Sequence, residues 1–380
     1  MRTYDHSFKG ITDPGSFKMV HGEYSVSRIK SYLDCPFKML MTKLIPCLDD
    51  EKHQLWKGTL IHKVFEYIYE DTFDYEKAFN EGVIAYKNQM QTEGYSFTKK
   101  EEIYLELMHK WLEPIVKQVQ SEKNNASFEK NSNFIKDFEI EVRWKIGTYN
   151  FKGYIDKLLF TKNTESYYTI VDYKTGSHGS ANFDPLVAVA GYDIQLPLYY
   201  QALKDNYTAE IKNYNLGGFG IKHIYGSTVK DAFYDKSATS KSVLRSNLRI
   251  DGLLYNSPDY YGSFGPDNVA KNGSPAGKDL TKSYLFGIDQ TTGFKTFVIE
   301  YKGFKIEYSI EQMLQDIETR VLEVISKIEH NQYDIAPKYN DVLKKDIEFT
   351  SCSYCSYKDI CYKNIDDMND LTIYLDRKFY

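Results

Sequence analysis

Tyr168-Thr169-Ile170-Val171-Asp172-Tyr173-Lys174-Thr175-Gly176 is a run of β-branched and aromatic residues closed by a glycine, and it reads as a buried β-strand. Alternation puts Ile170, Asp172 and Lys174 on one face and Val171 and Tyr173 on the other. Charged groups at the edge of a core are costly unless paired with each other or with an ion. Just upstream, Gly153-Tyr154-Ile155-Asp156 leads into a second strand, Tyr154 to Phe160, whose one acid is Asp156. The polar segment Thr161 to Ser166 joins the two as a hairpin turn. Two carboxylates and a lysine would then converge, which describes a metal site with a cation beside it.

Working outward, Tyr192 to Asp205 reads as a helix with Gln195 and Tyr199 at i, i+4, and Leu216 to Tyr225 as a further strand. Phe138-Glu139-Ile140-Glu141-Val142-Arg143-Trp144 alternates strictly and is a strand, with a turn at Gly147 to Asn150. Ahead of it come helices from Gly58 to about Tyr69, Tyr75 to Gln91 and Lys100 to Gln120, then a polar linker from Ser121 to Ser132. His62 and Glu66 share a face of the first; for a lone histidine, an ordinary core or surface position is the commoner outcome. Nearer the start, Ser25 or Ser27 caps a helix through Leu33, and Pro36 opens a second over Phe37 to Leu44. Residues 1 to 22 read as an irregular lead-in.

Beyond the sheet, Gly226 to about Ser283 is rich in Ser, Asp, Asn, Lys and Gly and reads as an insertion or long functional loop with a short helix over Ser242 to Leu248. Gly273 to Asp279 fails as a phosphate-binding loop, because its glycine spacing is short and Asp279 stands where a Ser or Thr would hold magnesium. Ser309-Ile310-Glu311-Gln312 is a capping box opening a helix that runs to His330.

The chain has 380 residues, 42% hydrophobic and 27% charged, with a net charge of −5, so it is an ordinary globular polypeptide and no polycation. A nucleic-acid site would have to be a local basic groove, for which Lys38, Lys43, Lys152 and Lys157 and some of the 34 tyrosines are candidates. The start of the chain is polar and no apolar run has membrane-spanning length, from which a cytoplasmic setting is expected.

Five cysteines in such a setting are not a disulfide framework. Cys352, Cys355 and Cys361 form a C-x2-C-x5-C group suited to a soft metal or an iron–sulfur cluster. Cys35, beside Pro36, is the best fourth ligand and would staple the two ends of the chain together. Cys47 reads as a core residue. Structural zinc and unrelated buried thiols are the alternatives. At the acidic site, a divalent ion would use Asp156, Asp172 and the carbonyl of Tyr173, with Lys174 as a compact charge beside a water. His62 and Gln195 could complete the shell, and Tyr199 could orient phosphate or water. The plain alternative is a surface Asp–Lys pair at a strand end.

Taken in order, G-x3-H, G-x-I-D, I-V-D-Y-K-T-G, Q-x3-Y and C-x2-C-x5-C, with an early C-P, resemble the PD-(D/E)XK nuclease superfamily. More narrowly they resemble RecB-type iron–sulfur exonucleases, above all the nuclease domain of the B subunit of AddAB-type helicase–nucleases; small CRISPR-associated exonucleases share the motifs. The resemblance covers roughly Glu23 to Tyr362, including Leu248 to Tyr255 and Ile335-Ala336-Pro337. It implies an α/β restriction-endonuclease-like core, a mixed sheet flanked by helices, in one nuclease domain over 23–380. Within it, 23–130 would be mainly helical, 137–225 the catalytic sheet, 226–283 an insertion and 300–362 the final helix and cysteine cluster. It further implies metal ligation by His62, Asp156 and Asp172, catalysis by Lys174, and support from Gln195 and Tyr199. A 4Fe–4S cluster would be held by Cys35, Cys352, Cys355 and Cys361. The expected activity is that of an exonuclease dependent on Mg2+ or Mn2+, acting on single-stranded DNA ends in replication, recombination, repair or end processing, with a lean to 5′→3′ polarity. No helicase portion precedes residue 23, so ATP-driven processivity is not expected of this chain. A stand-alone form suits a phage or mobile element, or a helicase or recombination partner supplied separately. The rival expectation is a catalytically silent DNA-end-binding module.

Overall fold

The computed structural model describes residues 22–45, 52–123, 128–175, 183–224, 250–263, 284–339 and 352–379, less 69, 71, 135–136, 256, 290–292, 353–354, 362, 364–366 and 368. The lead-in over 1–21, Cys47, the expected helix over 242–248 and the loop from Gly273 to Asp279 lie outside the described residues.

Local chemistry sets the first helices. The Ser25 hydroxyl accepts from the Arg28 N–H at 3.3 Å and so caps α1 (Val26–Asp34). Cys35 is extended, ending α1, and Pro36 starts α2 (Pro36–Leu44), where its missing N–H costs nothing. Three longer helices follow: α3 (Lys52–Tyr67), α4 (Tyr75–Thr92) and α5 (Lys99–Lys123). The last runs into the expected linker and contains Pro114.

After a short β1 (Phe128–Glu129) the chain forms an antiparallel meander of β2 (Phe138–Ile146), β3 (Tyr149–Lys162) and β4 (Ser166–Lys174). The expected hairpin is present, with Lys157 opposite Val171 and Lys162 opposite Ser166. Three short helices, α6 (Pro185–Val189), α7 (Gln195–Asn206) and α8 (Thr208–Ile211), then carry the chain across to β5 (Asn215–His223), which lies parallel to β4. Helix α7 begins at Gln195, three residues later than its apolar pattern suggests.

The sheet does not stop at β5. β6 (Ile250–Tyr255) pairs with it, followed by α9 (Pro258–Gly262), β7 (Tyr284–Asp289), β8 (Gly293–Tyr301) and β9 (Phe304–Ser309). Nine strands form one mixed sheet, in the order β1-β3-β4-β5-β6-β7-β8-β9 with β2 on β3. Within the stretch 226–283, read from sequence as an insertion or long loop, residues 250–255 form a strand of this sheet. The signal is weak there because Gly220 pairs with Gly252, and a Cβ on Gly252 would come within 2.2 Å of the Phe219 carbonyl oxygen. Two backbones that close leave no room for the side-chain alternation that marks a strand.

Helix α10 (Ile310–Glu329) has both halves of its capping box, Gln312 N–H to Ser309 Oγ at 3.0 Å and Ser309 N–H to Gln312 Oε1 at 2.9 Å. Then β10 (Lys338–Tyr339) and β11 (Asn369–Asp370) pair, with α11 (Lys358–Cys361) between them and α12 (Leu371–Phe379) last. Two apolar clusters cover the two faces of the sheet. Ile170, Ile155 and Phe219 pack with residues of α1, α7 and α10, while Val171, Tyr173 and Leu159 pack with α3, α4 and α5. That division is the alternation expected of β4, and it explains why the strand is almost wholly buried. Among the described residues, no helix is long and apolar enough to cross a membrane.

Ile317 on α10 is fully buried in the first cluster. Ile317→Ala is expected to lower the unfolding free energy by about 2–5 kcal/mol, read from urea denaturation.

Candidate active site

The C-terminal half of β4 lies between α7 on one face and α3 on the other, and this position assembles the site. Asp172 is 4% exposed. Its Oδ1 accepts from the Gln195 side-chain amide at 2.8 Å. Its Oδ2 lies 2.5 Å from Lys174 Nζ as an ion pair, with no aligned hydrogen bond to that oxygen. On β3, Asp156 Oδ2 accepts the Tyr173 backbone N–H at 2.7 Å, so one acid is bonded directly to the main chain beside the other. From α3, His62 brings Nδ1 to 3.6 Å from Asp156 Oδ1. Its ring meets the Tyr173 ring edge-on, with centroids 6.2 Å apart.

Tyr199 occupies the floor. Burial pushes its hydroxyl pKa upward, with Asp156 and Asp172 adding to the shift, while the Tyr154 N–H and the Gln195 side chain oppose it. A Cβ on Gly153 would stand 2.6 Å from Tyr199 Cε1, which accounts for the glycine of G-x-I-D. Its requirement is space; its backbone is ordinary.

The electrostatics show an excess of negative charge. Burial pushes the Asp156 carboxyl up to about 7, and Asp172 adds to the shift. Burial alone would lower the His62 pKa, but Asp156, Glu139 and Asp172 reverse this and raise it to about 9. Lys174 is likewise held charged against burial by Asp172, then Asp156 and Asp193. Asp193, just before α7, has its own pKa raised by burial; its Oδ2 accepts from the Asp184 N–H at 3.1 Å.

Six expected residues, His62, Asp156, Asp172, Lys174, Gln195 and Tyr199, therefore come together. The Tyr173 backbone enters through its N–H, which holds Asp156. Glu66, expected to share the His62 face, turns away and pairs with Lys63 at 2.6 Å. Lys157 is no groove residue: it is buried and paired with Asp137 at 2.7 Å, because position 157 points to the opposite face from Asp156.

One residue was missed. Glu139 on β2 brings Oε1 to 3.7 Å from His62 Nδ1, and ligand atoms of His62, Glu139 and Asp156 all lie within 4.8 Å of one another. Glu139 falls opposite Asp156, between the pairs Phe138–Lys157 and Ile140–Ile155. It has φ +47°, a left-handed conformation uncommon for a non-glycine residue. In sequence it was one acid of an alternating strand, and no pattern separates it from Glu141.

At the other end of the chain, Cys35, Cys352, Cys355 and Cys361 line one pocket with Phe37, Lys38, Ile335 and Pro337. None of the four is in a disulfide. Burial pushes Cys35 up to about 11, the backbone N–H groups of Lys38 and Ala336 oppose this, and Cys352 and Cys355 reinforce it. Thus the first cysteine does meet the last three.

Gly153→Ala is expected to cost about 1–3 kcal/mol through overpacking against Tyr199. In the double variant with Tyr199→Ala the two losses should be clearly less than additive in chemical denaturation.

A relative from Carboxydothermus hydrogenoformans, named as the B subunit of an ATP-dependent helicase/deoxyribonuclease, is 23% identical over 390 residues, covering 92% of this chain and 33% of its own. A protein of the same name from Staphylococcus aureus (strain JH9) is 23% identical over 398 residues, covering 91% of this chain and 31% of its own. The chain thus spans about a third of the length of these relatives. The family model for the PD-(D/E)XK nuclease superfamily matches residues 23–362, and the chain belongs to that superfamily.

Proposed function

We propose that this chain is a divalent-metal-dependent deoxyribonuclease that hydrolyses phosphodiester bonds as an exonuclease at single-stranded DNA ends. The observation carrying this reading is the spacing around His62. Nδ1 lies 3.6 Å from Asp156 and 3.7 Å from Glu139, too far for hydrogen bonds. Ligands of one octahedral ion at about 2.1 Å are separated by about 3.0 Å when adjacent and about 4.2 Å when opposite. The observed gaps fall between these values, and the surplus of negative charge calls for a cation. A mixed imidazole and carboxylate set suits Mn2+ at least as well as Mg2+.

On this reading His62, Glu139, Asp156 and Asp172 would hold the ion. When bound, it supplies Lewis-acid polarisation of a phosphodiester oxygen and a bound water of lowered pKa. Lys174 keeps a positive charge next to Asp172, where it can neutralise the developing phosphorane charge and orient water. Gln195 fixes the Asp172 carboxylate, and Tyr199 braces the strand that carries Asp156. The four cysteines would hold a 4Fe–4S cluster, a donor set supported by their meeting in one pocket without a disulfide and by backbone N–H groups aimed at Cys35. The cluster would fasten α2 to the end of the chain within one nuclease domain over 23–380. The names of the relatives support a role in DNA end processing beside a helicase partner, for which the cytoplasm is the natural setting.

An end-labelled single-stranded oligodeoxynucleotide incubated with Mg2+ or Mn2+ should shorten progressively from one end. Asp172→Ala should slow this at least about 100-fold, since even outer partners of a metal typically cost 10- to 100-fold. A wild-type protein that leaves DNA intact would establish the silent-module alternative. Glu139→Gln should weaken Mn2+ binding about tenfold or more by calorimetry or electron paramagnetic resonance, whatever happens to turnover. Anaerobically purified protein should be brown, and Cys355→Ser should lose both colour and thermal stability. A colourless, zinc-loaded protein refutes the cluster.

A further inference from the structure

Tyr154 is an exposed aromatic residue, 45% accessible to solvent. It stands on β3 two residues before Asp156, and alternation therefore puts its ring on the same face as that carboxylate, about 6.7 Å along the strand. Lys152 shares the face, and its Nζ lies 5.2 Å from the centre of the Tyr154 ring. Opposite on β2, Arg143 pairs with Lys152 and Glu141 with Tyr154, in the same register that puts Glu139 opposite Asp156. The hairpin face leading to the acidic site thus presents one exposed aromatic ring among Arg143, Lys152 and the acid that pairs with both, Glu141.

We infer that Tyr154 is a base-stacking platform and that Lys152 and Arg143 are phosphate contacts, together forming the track on which a DNA strand lies beside the metal site. The inference rests on the nuclease reading and deepens it. An internal ion-pair network explains part of the cluster. Glu141 lies 2.8 Å from Arg143 Nε and 3.0 Å from Lys152 Nζ, and it accepts the Tyr154 hydroxyl at 3.1 Å. Glu23, 2.7 Å from Arg143 Nη1, extends that network, in which a phosphate would exchange with a carboxylate as partner of each cation; the ring, with Lys152 over it, stays 45% exposed. The network also holds the ring in place, so little conformational freedom remains to be lost when a base stacks on it. A cation beside the ring adds attraction for a stacked base and its phosphate. Stacking recognises the flat face common to all bases, so this contact would position a strand without choosing a sequence.

Binding of a fluorescently labelled single-stranded oligodeoxynucleotide, followed by anisotropy with Ca2+ in place of the catalytic ion, tests this. Tyr154→Ala should weaken binding about 5- to 100-fold, the loss expected for one stacked base. Tyr154→Phe removes the hydroxyl bond to Glu141 but keeps the ring, and should bind within about twofold of wild type. An abasic site stepped along the oligonucleotide should weaken wild-type binding at one position next to the cut and leave Tyr154→Ala unaffected there. If Ala binds like wild type, if Phe is as weak as Ala, or if no abasic position matters, Tyr154 has only a structural role. Should Tyr154→Ala fail to fold, the Phe and abasic measurements still decide. A wild type that neither binds nor degrades DNA defeats the nuclease reading instead, which keeps the two failures apart.

Discussion

Two carboxylates on neighbouring strands, the buried Asp172 and the half-buried Asp156, are the constraint around which the rest of the fold is arranged. Like charges in a low-dielectric setting repel, and burial penalises each of them further. The protein offsets this with the Tyr173 N–H on one acid and with Gln195 and Lys174 on the other. The compensating groups come from β4 and α7 while Asp156 comes from β3, so both strands and the helix must be in place before the acids are tolerable. His62, delivered from α3 on the other face, completes the ring of polar atoms.

The backbone around the acids serves the same end. β4 lies at the junction where antiparallel pairing to β3 gives way to parallel pairing to β5. The crossover needed for a parallel neighbour supplies α7, and with it Gln195 and Tyr199. Gly153 leaves the surface of β3 open enough for Tyr199 to lie against it. Glu139 adopts a left-handed backbone conformation where its carboxylate approaches the same imidazole, so local backbone strain falls at the candidate site. Far along the chain, the cysteine pocket joins the start of α2 to the segment around α11, so the first and last described segments pack as neighbours.

What the sequence by itself determined is what depends on short-range pattern. The alternation of β4, the hairpin from β3, the i, i+4 pairing of Gln195 and Tyr199, the capping box of α10 and the cysteine spacing are local properties, and all of them stand in the structure. Tertiary structure alone decided the rest. Glu139 and Glu141 have the same local pattern, and only the pairing of β2 with β3 sets the first beside His62 and the second beside Lys152. Lys157 resembled a groove residue until its face was known. In β6 the close approach of Gly252 to β5 interrupts the alternation, whereas β9, Phe304 to Ser309, does alternate locally and only long-range pairing makes it part of this sheet. Long-range pairing assigns each of these roles, and no window of a few residues contains that information.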